Sequence, residues 1–287
     1  MATESTEGLL TPHFPIRRRE SRKGENGRVI VVGGSWLYHG APLHAAEGAA
    51  RAGVDLVYLA VPKVIVDPVR SASPDYIVYP LADAKLTTGA VRRLLKWLPE
   101  VESAVVGPGL GRQSEEGLLL LCRSLKERGV SIVLDADALK PTVVEACRGG
   151  VVVLTPHAGE YRRLTGKELP APLDLRVAAV KEAAASLGAV VLSKGPVDVV
   201  SDGADVLINR TGCSAMTVGG TGDVLAGLVG GLLALKMKPL YAAAAAAYAN
   251  GRAGERAKQE LGNHITASDL VRHLPAILRV FDREDVA

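Results

Sequence analysis

The chain has 287 residues, 48% hydrophobic and 23% charged, the balance of a globular protein long enough to bury a large core without disulfide or metal staples. Thirty-four Lys and Arg against 31 Asp and Glu leave a net charge of +3, and aromatic residues make up 4%. Neither a concentrated basic face nor the stacking platforms of a single-strand nucleic-acid binder follows from these totals. The longest uncharged apolar stretch, Val224 to Leu235, is shorter than the roughly 20 residues that cross a bilayer, so no membrane span is expected.

In chain order, residues 1–24 read as an extended leader whose basic run, Arg17, Arg18, Arg19, Arg22 and Lys23, is more simply a solvated stretch than an anion-binding arm. The first twenty residues hold no apolar signal segment. Cys122, Cys147 and Cys213 form no CxxC pair, which suits buried thiols in a reducing compartment, so the expected location is the cytoplasm. Residues 25–287 contain no Pro- or Ser-rich linker and no solenoid repeat, and read as one domain.

Within that domain, short runs apolar on both faces predict strands of a covered parallel sheet: Arg28–Gly33, Asp55–Val61, Ala104–Gly107, Ser131–Asp135, Val151–Leu154 and Ala189–Ser193. Between them Ala41–Ala52, Thr87–Leu98, Ser114–Arg128, Asp137–Cys147 and Pro172–Leu187 have the length of crossover helices, which makes the class α/β. Val197–Ser201 and Val206–Asn209 around Asp202-Gly203 predict an antiparallel hairpin at one sheet edge. Asp223–Leu235 and Leu240–Ala257, apolar nearly all round, predict buried helices, and Thr266–Arg279 a closing helix with a Thr cap.

Ligands of an open parallel sheet collect at the carboxyl ends of its strands. There the sequence places Gly33-Gly34-Ser35, Gly107-Pro108-Gly109-Leu110-Gly111, Asp135-Ala136-Asp137, Thr155-Pro156-His157 and Lys194-Gly195, which implies one shared crevice. Val218-Gly219-Gly220-Thr221-Gly222-Asp223 runs straight into an apolar helix. Glycines at a helix start let backbone N–H groups converge on an anion. A carboxylate there would repel a phosphate, but fits a base for the hydroxyl that attacks one. The competing reading of Asp223 is a plain helix cap. No GxxxxGK[ST] loop or GxSxG elbow occurs, and the six histidines are too scattered for a zinc site.

Taken in order, RKGENGRVIVVGGSWLYHGAP, VVGPGLG, VLDADAL, LTPHAGEYRRLTG, VVLSKGPVDVV, NRTG and GGTGDVLAG resemble the ADP/ATP-dependent NAD(P)H-hydrate dehydratase family from Arg22 onward. The resemblance implies a ribokinase-like three-layer sandwich, with a mostly parallel sheet, helices on both faces and an antiparallel edge. It implies a lyase that repairs hydrated NADH or NADPH through a phosphorylated intermediate. ADP or ATP would be the phosphoryl donor, Mg²⁺ would be required, and Asp223 would be the general base. Matched to the family's motifs, Ala41, Gly109, His157 and Asp223 would contact the hydrate. Lys194, Gly195, Pro196, Val197, Asp198, Gly219, Gly220, Thr221 and Gly222 would contact the nucleotide. No metal ligand is assigned. Family habit implies a homotetramer and a functional link to a separate epimerase. Three positions depart from the pattern: Ala158 in TPHAGE where proline is common, Asp198 where a hydroxyl is usual, and Val218 where Lys or Ala is frequent. A hydroxyethylthiazole- or pyridoxal-type kinase of the same fold, or a nucleotide-binding sensor without turnover, are the alternatives.

Overall fold

The computed structural model describes residues 2–111 and 115–283. Two short elements, β1 (Thr3–Glu4) and α1 (Glu7–Leu10), open the chain. Strand and helix then alternate: β2 (Arg28–Val32), α2 (Gly40–Arg51), β3 (Leu56–Pro62), α3 (Val66–Ala72), β4 (Ile77–Leu81), α4 (Thr88–Trp97), β5 (Ser103–Val106) and α5 (Glu115–Glu127). They continue with β6 (Ser131–Leu134), α6 (Pro141–Ala146), β7 (Val152–Leu154), α7 (Ala158–Thr165), α8 (Leu173–Leu187) and β8 (Val190–Ser193). A hairpin of β9 (Asp198–Ser201) and β10 (Val206–Asn209) leads into α9 (Thr221–Ala234), α10 (Pro239–Leu261) and α11 (Ala267–Leu278).

The strands form one sheet in the order β1-β10-β9-β8-β7-β6-β5-β2-β3-β4. All neighbours from β8 to β4 are parallel, and β9 is antiparallel to both β8 and β10. Because successive side chains alternate across the pleat, Val29 and Val31 enter one core while Ile30 and Val32 enter the other. The first core lies under α2, α9, α10 and α11; the second lies under α4 to α8. Glycine lets α9 approach α2 backbone to backbone: a Cβ on Gly227 would collide with the Ala45 carbonyl. On the sheet side the Ser103 hydroxyl donates to the Gly230 carbonyl at 2.6 Å, tying α9 to β5. The α/β architecture, its covered parallel strands and its antiparallel edge are as expected. No helix of the described residues is long and apolar enough to cross a membrane.

Several elements differ from the sequence reading. Thr3–Glu4 pairs in parallel with β10, Leu10 is fully buried and Phe14 stacks on Phe281 at 4.3 Å, so this part of residues 1–24 is not extended but docked on the body. From the basic run, Arg17 is engaged by Asp55 at 3.0 Å and by the Gly53 carbonyl at 3.1 Å. β4 is absent from the expectation because IVYPL contains Pro80; the strand tolerates it as the last of the sheet, with a free side. The expected helix Asp137–Cys147 splits into a 3₁₀ turn at 136–138 and α6, since Lys140 before Pro141 is extended and Pro141 starts a new helix. Ser114, the expected first residue of α5, lies outside the described residues.

Candidate functional site

The chain runs from β2 outward through β3 to β4, then returns to lay β5 on the other side of β2. That reversal of strand order opens a crevice beyond the carboxyl ends of β2 and β5. The turn after β5 carries Gly109 at φ +67, where a Cβ would come within 2.9 Å of the Ala41 Cβ and 2.8 Å of the Tyr38 carbonyl oxygen. The two residues expected to touch one ligand, Ala41 and Gly109, therefore lie together on the switch point.

The neighbouring strand ends form a charged cluster. Asp135, 2% exposed after β6, accepts from the Thr155 hydroxyl at 2.7 Å and from Lys194 Nζ at 2.9 Å. Glu160, 5% exposed on the first turn of α7, lies 3.8 Å from the same ammonium and accepts from the His157 N–H at 2.9 Å. Lys194 is positioned by its own N–H, which donates to the Pro156 carbonyl at 2.9 Å. Burial works against its charge, but the Asp135 and Glu160 carboxylates outweigh that and raise its pKa. Lys194 is thus a fixed cation between two buried anions, and its Nζ lies 3.4 Å from where a Cβ on Gly222 would be.

Gly222 belongs to the start of α9, where the N-cap is Gly220 at φ +96 with no side chain to satisfy the first-turn N–H groups. Those groups lack intrahelical acceptors and point out of the helix start, where the dipole favours an anion. The Thr221 hydroxyl proton is used within the loop, toward the Met216 and Val218 carbonyls at 3.0 and 3.2 Å, so as a donor to an anion Thr221 offers only its backbone N–H. Asp223 is the third residue of the helix rather than its cap, which removes the plain-cap reading. Burial first, and then the negative charge of Asp135, push its carboxyl up to about 7, against the opposing pull of Lys194 and His44. A carboxyl with that value is poised to exchange a proton at neutral pH.

The remaining expected residues divide. His157 is the N-cap of α7: its Nδ1 accepts from the Gly159 and Glu160 N–H groups at 3.0 and 3.3 Å. With Nδ1 accepting, the neutral ring carries its proton on Nε2, on a side chain that is 58% exposed and 3.4 Å from Glu160. The ring is held by local backbone yet keeps one edge open. Asp198 does not present its carboxylate outward. It accepts from the Gly195 N–H and from Asn209 Nδ2, both at 3.0 Å, and so locks the Lys194–Asp198 turn; burial raises its carboxyl to about 6. Gly195, Pro196 and Val197 lie on that turn, across Lys194 from the α9 start.

Sequence reasoning places Asp135 at a strand end and assigns no role to it, to Glu160 or to His44. The signal for Glu160 was present in His157-Ala158-Gly159-Glu160, a capping box with an acid three residues after its cap. His44 lies on the first turns of α2 with its Nδ1 2.8 Å from Glu47. Among the described residues no group of three or more His, Cys, Asp or Glu side chains forms a metal cage. Asp135 and Glu160, which pair with Lys194, and Asp223, which acts on it, are the carboxylates of this cluster; the first two would hold a cation brought in by a phosphate.

Residues 29–276 match the model of a family described as NAD(P)H-hydrate dehydratase. The chain is 50% identical over 270 residues to the ADP-dependent (S)-NAD(P)H-hydrate dehydratase of Cenarchaeum symbiosum, covering 94% of each. It is 48% identical over 276 residues to a bifunctional NAD(P)H-hydrate repair enzyme of Pyrobaculum aerophilum, of which it covers 54%. In three dimensions it is similar to the ADP/ATP-dependent NAD(P)H-hydrate dehydratase of Bacillus subtilis co-crystallized with ATP and Mg²⁺, at a TM-score of 0.85 and 28% identity, over 98% of this chain and 99% of that one.

Proposed function

The chain belongs to the NAD(P)H-hydrate dehydratase family, and on that premise we propose that it restores NADH and NADPH from their hydrates in an ADP- or ATP-dependent dehydration. The observation that carries the reading is Asp223, a carboxyl raised to about 7 at a glycine-capped helix start beside Lys194. The hydrate lies over Ala41 and Gly109, with the open edge of His157 toward it. The nucleotide lies along Lys194–Asp198, its phosphates reaching the N–H groups from Gly219 to Gly222. Their reacting ends meet at Asp223.

In this scheme Asp223 accepts the proton of the hydrate's C6 hydroxyl as its oxygen attacks the terminal phosphorus of the nucleotide. The bond to the bridging oxygen breaks and its electron pair leaves with the shortened nucleotide. Phosphate, a far better leaving group than hydroxide, then departs from C6 with its bonding electron pair while the adjacent C5 gives up a proton to solvent, and the electrons of that C–H bond become the restored ring double bond. Lys194 and the helix-start amides hold the charge that develops on the transferring group. Mg²⁺ bound with the nucleotide would neutralise phosphate charge, and Asp135 and Glu160 beside Lys194 are the residues that would hold it. A cytoplasmic homotetramer working beside an epimerase belongs to the same proposal, the last element in keeping with the bifunctional relative.

The test is recovery of absorbance at the reduced-nicotinamide wavelength when the protein is given hydrated NADH with ADP or ATP. Recovery that depends on nucleotide is expected. Phosphorylation of a thiazole or pyridoxal alcohol without recovery would instead support a small-molecule kinase, and nucleotide binding without either reaction a sensor.

A further inference from the structure

The Gly219–Asp223 loop brings three glycines, a threonine turned inward and, just before it, Val218, so it has no cation of its own. A cation stands next to it from another element. His44, on α2, is largely covered, and its imidazole edge lies against the N-cap of α9. A Cβ on Gly220 would come within 2.8 Å of His44 Cδ2 and 3.2 Å of Nε2. The far nitrogen, Nδ1, is 2.8 Å from Glu47. This orients the ring: Nδ1–H donates to the Glu47 carboxylate, leaving Nε2 toward the loop that holds the first-turn amides of α9.

We propose that His44, held by Glu47, is a catalytic cation of this site: its Nε2–H contacts the phosphoryl group in transfer at the Gly220–Asp223 helix start, supplying charge that the loop lacks. This rests on the phosphoryl-transfer reading of the site. The proton balance is simple. The hydroxyl proton passes to Asp223, the phosphorus–oxygen bond to the acceptor forms as that to the nucleotide breaks, and the electron pair leaves with the shortened nucleotide. His44 keeps its proton throughout and acts only by charge and hydrogen bonding.

The charges facing His44 come from two elements. Glu47, on its own helix, lies against Nδ1, and Asp223 acts across the gap from α9; both favour the imidazolium over the opposing effect of burial. The third element at this corner, α11, brings Ala267 against Gly220 and turns its own charges elsewhere, Asp269 toward Arg272 and His273 toward Glu260. A cationic His44 also helps keep Asp223 ionised. The two residues therefore work as a pair, Asp223 as the acceptor of the proton and His44 as the holder of the anion.

Two measurements test this. The first follows the His44 ring by NMR in histidine-labelled protein, assigned with His44→Gln, and titrates it with and without the nucleotide that the protein binds, ADP or ATP. A rise of the His44 pKa by about one unit or more is expected when the terminal phosphate arrives. AMP, which lacks that group, should move it less. A nucleotide that binds without moving His44, or a failure of both nucleotides to bind, overturns the assignment.

The second measurement is the pH profile of kcat. His44→Gln should lower kcat about 10–100-fold, leave KM for the hydrate within about threefold, and abolish the fall in rate at high pH. Glu47→Gln should move that fall to lower pH while leaving a charged form available, which a merely structural role for His44 does not predict. An unchanged high-pH limb in both variants refutes the proposal. Should the wild type give no dehydration at all, the functional reading fails, and the NMR titration still decides whether His44 meets the phosphate.

Discussion

Replacing Asp223 by Asn separates catalysis from stability with opposite signs. The amide keeps the shape and the helix position of the carboxyl but cannot accept the proton, and a general base typically contributes about 10²–10⁴-fold, or roughly 3–5 kcal/mol of barrier. Nucleotide affinity should change little, because the amides that hold phosphate belong to the backbone. Stability should move the other way. A carboxyl raised from 3.8 to about 7 binds its proton more tightly in the folded than in the unfolded chain. Stability is therefore lost as pH rises from about 4 to about 7, and above that the ionised group costs up to about 4 kcal/mol, an upper figure because some solvent reaches it. Asp223→Asn should melt like wild type at pH 4 and several degrees higher at pH 8. The assays are single-turnover recovery of the reduced cofactor and thermal unfolding at the two pH values. Near-normal turnover would refute the base assignment, and melting below wild type at pH 8 would refute the electrostatic account of the site.

Gly220→Ala forces a Cβ into a residue at φ +96, within 2.8 Å of both Ala267 and the His44 ring; turnover should fall about 100-fold or more, with the unfolding free energy from denaturant titrations lowered by more than about 1 kcal/mol. Lys194→Met leaves Asp135 and Glu160 buried without their shared cation, so a loss of about 3–5 kcal/mol is expected near neutral pH. Denaturant unfolding of the variant beside wild type will show it. His157→Ala removes the cap of α7, worth about 1 kcal/mol, and should raise KM for the hydrate while leaving KM for nucleotide unchanged. Equal affinity for the hydrate in that variant would leave His157 a cap and nothing more.

Much of the fold was legible because its strands are buried on both faces. RVIVV, SIVL and VVLS are apolar with little alternation, a pattern that suits a sheet covered on both faces, and the apolar helices α9 and α10 are recognisable for the same reason. What escaped was decided by position in the assembled sheet. IVYPL is a strand only because it ends the sheet, where Pro80 costs no ladder bond on its outer side, and Thr3–Glu4 is a strand only because β10 offers it an edge. Polar dipeptides carry no such information by themselves.

At the site, local sequence determined which residues stand at strand ends, and the GGTGD run identified the helix start and its unusual acid. It could not decide what those residues do to one another. Asp223 acquires a carboxyl near 7 because folding brings it close to Asp135, 88 positions earlier, and away from water; Asp198 turns inward because Asn209 waits on the adjacent strand. Glu160 and His44 become part of the site through Lys194 and Gly220, partners that no spacing along the chain reveals. Hydrophobic pattern is a property of consecutive residues, whereas electrostatic environment is a property of distance in space, so the sequence determined the scaffold and the tertiary structure decided the chemistry.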